Sequence, residues 1–532
     1  MYSIEEMTFR RRFCINPYKS LRLPLGEMCC DKDWINDRRG DPYPVVFSDE
    51  AEAPLSESLP DGRYRVENNA ARTLRRARLL GQHFPYATYD IEFDELTLND
   101  PDSGAGLCIT SEKLPRLIIA AQNAGGKMRV VCHIEGDEES RVLDCGRAYL
   151  PGAHLIVTCH GRSFDVYLRP GRKAEYVGTF TLPSFGSVIA YDVFTRTTAS
   201  LYVRLAPGDR VQCGVQFYLE GGISHADMKC MRLENGQPYM ENGRLFLTMS
   251  SRLQTGGFQS VISWNPSTAD IRMEGALFFD AGDGLWCSDV ATSAVFDRRT
   301  GEWYVWACSF SHGHVLCHGK SFADLRHGIN VLDVTLMPFE QRVKGEHDSL
   351  GAADFDGVVD RAVLSDDRLF FAKSGDEDPD LTYDEKRGKW LLCICRLVDC
   401  GESKSNYRYF LYESDDPFTG FTYVDSTTAG SNTGGSIVRA AGKMYLLCGS
   451  DFGKRAQYHL HPIEDLSRFT LLRFDYDDGG FRGWGTLIPV PCGRRLRYVM
   501  MTFDRHNGSD YNWSYGNIYV FEADRMNDAA AL

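Results

Sequence analysis

The sequence predicts an all-β protein in two parts, an N-terminal β-sandwich followed by a five-bladed β-propeller. Three observations lead there. Aromatic residues make up 12% of the 532 residues and glycine contributes 50, a composition suited to many short strands joined by tight turns. Between residues 85 and 215 alternating apolar segments follow one another closely. From about residue 216 a single pattern of strand, glycine turn and apolar strand returns five times.

Residues 1–84 are charged and irregular, with few periodic apolar positions, and are expected to wrap the structure rather than fold alone. Within them "DWINDRRG" is similar to the fructosidase motif built on Asn-Asp-Pro. Arg38 stands where the proline belongs and no apolar strand follows, so the match is set aside as chance. In 85–215 the segments "YATYDIEFDELTL", "RLIIAA", "KMRVVCHI" and "ASLYVRL" have the spacing of a β-sandwich. The stretch "HLIVTCHGRSFDVYLRPGRKAEYVGTFTL" resembles concanavalin or laminin-G-like domains. That resemblance implies either glycan binding or a bracing role for the second part.

The propeller is expected over 216–532. Its repeats are "PYMENGRLFLTM", "AVFDRRTGEWYVWAC", "LTYDEKRGKWLLCIC", "IVRAAGKMYLLCG" and "VPCGRRLRYVMM", turning at Gly243, Gly301, Gly388, Gly442 and Gly493. Successive turns lie roughly 50–60 residues apart except for one wider gap, the length a four-stranded blade needs. The wide gap holds an insertion, "GINVLDVTLMPFEQRVKGEHDSLGAADFDG", read as a lid over the funnel. Solenoid repeats are excluded because these units are too long and lack helical periodicity.

Charge narrows the partners. Lys and Arg number 59 against 73 Asp and Glu, a formal net charge of −14, which argues against binding nucleic acid or anionic membrane without sequence preference. No window is apolar enough to span a bilayer and no leader-like segment opens the chain, so a cytoplasmic location is expected. The 17 cysteines are scattered and mostly lie in apolar strands, where they pack as small hydrophobes.

The innermost strand of each blade points one end into a central funnel, so polar residues opening those strands converge. In "GDEDPDLTYDEKRGKW" this puts Glu377 and Asp378 at the mouth of the third blade, and in "GLWCSDVATSAVFDRRTGEW" it puts Asp289 at that of the second. The first blade offers Asp227 and Glu234 within "GGISHADMKCMRLENGQPYMENG". Repeat spacing favours Glu234, while the small, polar "SHAD" setting favours Asp227. Closely spaced carboxylates drive one another's pKa apart, which lets one donate a proton while the other acts as base or nucleophile. Around them His225, Arg252 and Arg482 are candidate substrate contacts, and Trp286 and Trp484 candidate stacking faces. His312, His314 and His318 in "SFSHGHVLCHG" suggest a polar loop more than metal ligands.

Residues 216–525 resemble the five-bladed propeller glycoside hydrolases, a group that includes families 32, 43, 62, 68, 117 and 130. The matching motifs are "SDVATSAVFDRRTGEWYVW" and "EDPDLTYDEKRGKWLL". The resemblance implies that Asp378 tunes and orients the general acid and that Asp289 is a further polar funnel residue. Two positions depart from the pattern. Gln237-Pro238 replaces the first-blade Asp-Pro, and Gly434 or Gly435 occupies the fourth-blade position that usually holds the acidic Glu. The acid is then expected from Glu377, Glu346 or His347. The function this implies is hydrolysis of short oligosaccharides or glycosides, with no cofactor beyond room for a structural divalent cation in the funnel. A glycoside phosphorylase or transglycosidase, for which Arg252, Arg482 and Arg505 would supply charge, and a non-catalytic glycan-binding protein stand as alternatives. The oligomeric state is left open.

Overall fold

The computed structural model describes residues 2–15, 21–25, 57–58, 63–83, 86–111, 116–134, 141–160, 163–181, 197–221, 224–252, 257–282, 287, 289–309, 312, 315–337, 376–398, 406–428, 432–450, 457–475, 481–504 and 517–528. Apart from a one-turn 3-10 helix at Ile4–Glu6, every regular element among them is a strand. The chain divides into two compact units, Met1–Leu21 with Gly221–Leu532, and Arg22–Glu220.

The first unit is a five-bladed propeller. Its inner strands are Ser224–Cys230, Val290–Asp297, Asp376–Asp384, Asn432–Ala440 and Phe481–Cys492, in blades I to V. Each touches the next, and the fifth touches the first, so the ring is closed. Each inner strand pairs antiparallel with a second strand. All five turn glycines read from the sequence take the left-handed conformation, with φ between 62° and 75°, which a β-carbon would penalise.

Interleaved apolar side chains hold the blades together. Phe246 and Leu277 of blade I pack with Val305 and Trp303 of blade II. Trp306 of blade II packs with Leu392 and Tyr412 of blade III. Cys393 and Tyr409 of blade III pack with Leu446 and Cys448 of blade IV. The cysteines among the described residues are free thiols and mostly buried, as their apolar surroundings suggest.

Blade V is completed from the other end of the chain. Thr8–Ile15 runs antiparallel to Ile518–Ala523, and Arg473–Phe474 lies parallel on its far side. Ile4, Met7 and Phe9 are wholly buried against Leu447, Tyr498 and Phe521. This corrects the expectation of one wrapping segment over residues 1–84. Only Phe9 is buried along "TFRRRFCI", so an outer strand built there shows no apolar alternation. Blade I holds a second departure. After Cys230 the chain leaves its own sheet, lays Arg232–Leu233 parallel to the inner strand of blade II, and returns at Met240–Glu241.

The unit Arg22–Glu220 consists of two antiparallel sheets. One runs in the order Arg141–Ala148, Lys127–Ile134, Leu117–Ala124, Gly104–Ser111, Thr197–Leu205, Leu74–Gln82. The other runs Glu175–Thr181, Ser163–Arg169, Ala153–His160, Ala87–Thr97, Arg210–Glu220, Tyr64–Glu67, Glu57–Ser58, with Arg22–Pro24 beside Arg210–Glu220. Strands from both sides of residue 85 therefore enter this unit, and its boundary falls at Glu220 rather than residue 215.

Candidate active site

A backbone irregularity repeated around the ring builds the site. Every inner strand slips register once, between Ala226 and Lys229, Val290 and Ser293, Glu377 and Asp380, Thr433 and Ser436, and Arg482 and Thr486. In blades I to IV a left-handed residue sits within the slip: Asp227 (φ 53°), Ala291 (φ 55°), Asp378 (φ 49°) and Gly434 (φ 64°). Bulges re-aim side chains out of the pleat. Non-glycine residues accept such φ values only under local constraint, and Asp does so more readily than most. Two of the four equivalent positions carry a carboxylate, and both are buried, Asp227 at 7% and Asp378 at 4% exposure.

Each of these carboxylates is held by a hydroxyl from its own blade that also binds the next blade. The Ser250 hydroxyl donates to Asp227 Oδ2 at 2.9 Å and accepts the Ala291 N–H at 3.2 Å. The Tyr409 hydroxyl donates to Asp378 Oδ2 at 3.3 Å and accepts the Gly435 N–H, while the Gly434 N–H donates to the same Asp378 oxygen at 2.8 Å. Tyr407, two residues earlier on the strand, donates to Glu377 Oε1 at 3.3 Å. Tyr458 repeats the joint between blades IV and V by accepting the Gly485 N–H at 3.0 Å.

Burial, then the charge of Asp227 and to a lesser degree that of Glu377, raises the Asp378 pKa to about 7, against the pull of Lys229 and the Gly434 N–H. Asp378 therefore holds its proton where an ordinary carboxyl has lost it. Burial and the nearby carboxylates also push the Cys308 and Cys395 thiols far up. That excludes them as thiolate nucleophiles at neutral pH.

Asp380, one turn of the pleat beyond Asp378, has a structural role. Its carboxylate accepts Arg232 Nη2 at 2.6 Å, the Ser293 hydroxyl at 2.7 Å and the Ile437 N–H at 2.6 Å. With Lys229, whose Nζ donates to the Pro379 carbonyl at 2.6 Å, it ties four blades together beneath the acidic pair.

The residues expected from the sequence divide clearly. Asp227, Glu377 and Asp378 come together. Asp289 is buried at the start of blade II, its Oδ2 3.9 Å from Cys317 Sγ, but the position equivalent to Asp378 is Ala291, two residues on. Glu234 does not belong to the site. It accepts four hydrogen bonds from three donors of Arg298, just past the end of the blade II inner strand opposite the slip. Burial opposes its ionisation, yet these bonds hold its pKa below the ordinary carboxyl range. Counting back from Gly243 misplaced it because the blade I inner strand ends at Cys230 and the crossover intervenes.

His225 is wholly buried in blade I beside Phe503, and burial lowers its pKa to about 4, so it is a neutral imidazole. Trp484, only 7% exposed, donates its indole N–H to Thr433 at 2.8 Å and forms wall rather than an open stacking face. Arg252 and Arg482 pair through their backbones with Ser224 and Phe503, and their side chains lie outside the described residues. Trp286, His314, Glu346, His347, Arg505 and most of the insertion do too. His318 stacks on Phe418 and is tilted against Trp306, a packing role. Among the described residues no group of three or more His, Cys, Asp or Glu could hold a metal ion.

The fourth-blade position is closed. A β-carbon on Gly434 would lie 2.6 Å from Trp484 Cα, and one on Gly435 would lie 2.4 Å from the Tyr409 ring. No acidic side chain fits there. Sequence reasoning missed Ser250, Tyr407, Tyr409 and Lys229. The available signal was the pair of alternating tyrosines on the third strand of the blade that carries adjacent acids.

No protein-family model and no curated protein matches this chain. Solved structures align with part of the chain. A thermostable family-43 glycoside hydrolase is 12% identical, with 57% of this chain and 93% of that one covered and a TM-score of 0.35. Levansucrase from Bacillus subtilis is 12% identical over 58% and 89%, with a TM-score of 0.38. The α-L-arabinofuranosidase of Podospora anserina, solved with cellotriose, is 10% identical over 57% and 92%, with a TM-score of 0.35. Likeness at this level does not extend to activity, so the functional reading rests on this chain's own side chains.

Proposed function

We propose that the propeller funnel hydrolyses the glycosidic bonds of short oligosaccharides, with Asp227 and Asp378 as the working carboxylates. The observation behind this is the pair itself. Two acids stand at the same strained backbone position of two repeats, buried together, with one raised toward neutrality by burial and by the other. Glycosidic cleavage needs this division of protonation states. Asp378 gives its proton to the leaving oxygen. Asp227, fixed by Ser250, attacks the anomeric carbon or takes a proton from the attacking water. Tyr409 positions Asp378, and the reaction needs no cofactor.

The test is release of sugar from aryl glycosides and short oligosaccharides by wild type, Asp227→Asn, Asp378→Asn and Glu234→Gln. We expect the first two variants to lose activity by a factor of about a hundred or more, and Glu234→Gln to keep it. A second reading, a glycan-binding protein without turnover, is favoured by one observation, the closure of the fourth-blade position by Gly434 and Gly435. If no substrate is cleaved while a sugar raises the melting temperature, that reading replaces the first.

A further inference from the structure

Beyond the carboxylate pair, on the axial side of the inner strands of blades I, IV and V, lies a small cavity lined by Lys229, Arg232, Ser436 and Arg439, with Thr486 and Pro238 completing the wall. Its charged residues are cations, and their groups are accounted for almost completely. Arg232 gives Nη2 to Asp380 and the Leu381 carbonyl and Nη1 to the Ile437 carbonyl. Lys229 gives Nζ to the Pro379 carbonyl. Arg439 gives Nε to the Asn235 carbonyl and Nη2 to the Met444 sulfur. Asp380, the acid next to the cavity, already accepts from Arg232, Ser293 and Ile437.

Two polar atoms are left over. Arg232 Nε and the Ser436 hydroxyl are buried and find no hydrogen-bond partner among the described residues. Both residues are at least nine-tenths buried, Arg232 at 5% and Ser436 at 2% exposure. A buried guanidinium N–H can only donate, and leaving it without an acceptor is unfavourable. The Ser436 hydroxyl, on a residue lining the same cavity, can also donate. The cavity thus presents donors, cationic side chains and a missing acceptor, with room for one guest about the size of a water molecule.

We propose that this cavity is a structural site for a monatomic anion, chloride in practice, held by Arg232 Nε and the Ser436 hydroxyl between Lys229 and Arg439. The guest ties the crossover from blade I to the inner strand of blade IV and stabilises the ring without taking part in chemistry at Asp227 and Asp378. The inference does not rest on the proposed glycosidase activity.

The test uses the full-length protein exchanged into sodium gluconate and titrated with sodium chloride or bromide at fixed ionic strength, followed by thermal unfolding. We expect a saturable rise in melting temperature of roughly 3 °C at tenfold excess over the dissociation constant. Ser436→Ala removes a hydroxyl that bonds nothing among the described residues, so it folds, and it loses most of the halide response. Bromide-soaked crystals give an anomalous peak between Arg232 and Ser436. Identical melting in gluconate and halide overturns the site, as does a cavity holding only water with no bromide signal, or an unchanged halide response in Ser436→Ala.

Discussion

Replacing Asp378 with Asn tests the electrostatics of the site without relying on any substrate. The folded-state pKa of about 7 lies above the value of about 3.9 for an unperturbed Asp. Between those values the native protein holds a proton that the unfolded chain has released, so stability falls as pH rises. A full pH unit inside that window is worth about 1.4 kcal/mol, and because the slope halves as pH reaches the folded pKa, the group should withdraw about 2 kcal/mol from pH 5 to pH 7. Asn keeps an acceptor for Gly434 N–H, tolerates the left-handed backbone, and cannot titrate. Urea unfolding at pH 5, 6, 7 and 8 should show the wild type losing stability relative to Asp378→Asn by roughly that amount, with the difference levelling off above pH 7. Asp227→Asn should shrink the slope, because it removes the neighbouring charge. Curves that run parallel across the range would refute the claim that Asp378 is buried as the neutral acid.

Three further outcomes are expected. Tyr409→Phe removes a donor to the ionised Asp378 and the acceptor of Gly435 N–H, so it should destabilise by about 1–3 kcal/mol and move the alkaline limb of the activity profile to higher pH. Gly435→Ala drives a methyl to 2.4 Å from the Tyr409 ring and should cost about 1–3 kcal/mol in denaturant unfolding. Phe9→Ala empties a wholly buried position in blade V and should cost about 3–5 kcal/mol. A loss below about 1 kcal/mol would show that the N-terminal strand contributes little to the ring.

The five-blade repeat was legible because each blade needs a glycine in its first hairpin, and all five were found by that need alone. Asp378 and Glu377 were legible because their blade has its inner and second strands adjacent in sequence. Asp227 and Glu234 could not be told apart, since the crossover through Arg232–Leu233 breaks the count from turn glycine to funnel, and nothing local marks a strand that joins the neighbouring sheet. The slip with its left-handed residue was also hidden. Asp, Ala, Asp and Gly share that backbone shape without sharing a side chain. Tyr407 and Tyr409 read as ordinary strand aromatics, because their partners come from another strand of the blade and from the next blade.

The strand Thr8–Ile15 has a consequence for how the protein is made. Arg12 meets Glu522 across 510 residues of chain, so a segment translated early must wait for one translated much later before its sheet exists. Contacts so distant in sequence close slowly, and an unpaired strand left waiting invites pairing with other chains. The run Arg10, Arg11 and Arg12, exposed in the finished blade, answers that hazard. Three adjacent positive charges disfavour pairing with a second copy of the same strand, so the residues that obscure this strand in the sequence are of the kind that guards an unpaired edge.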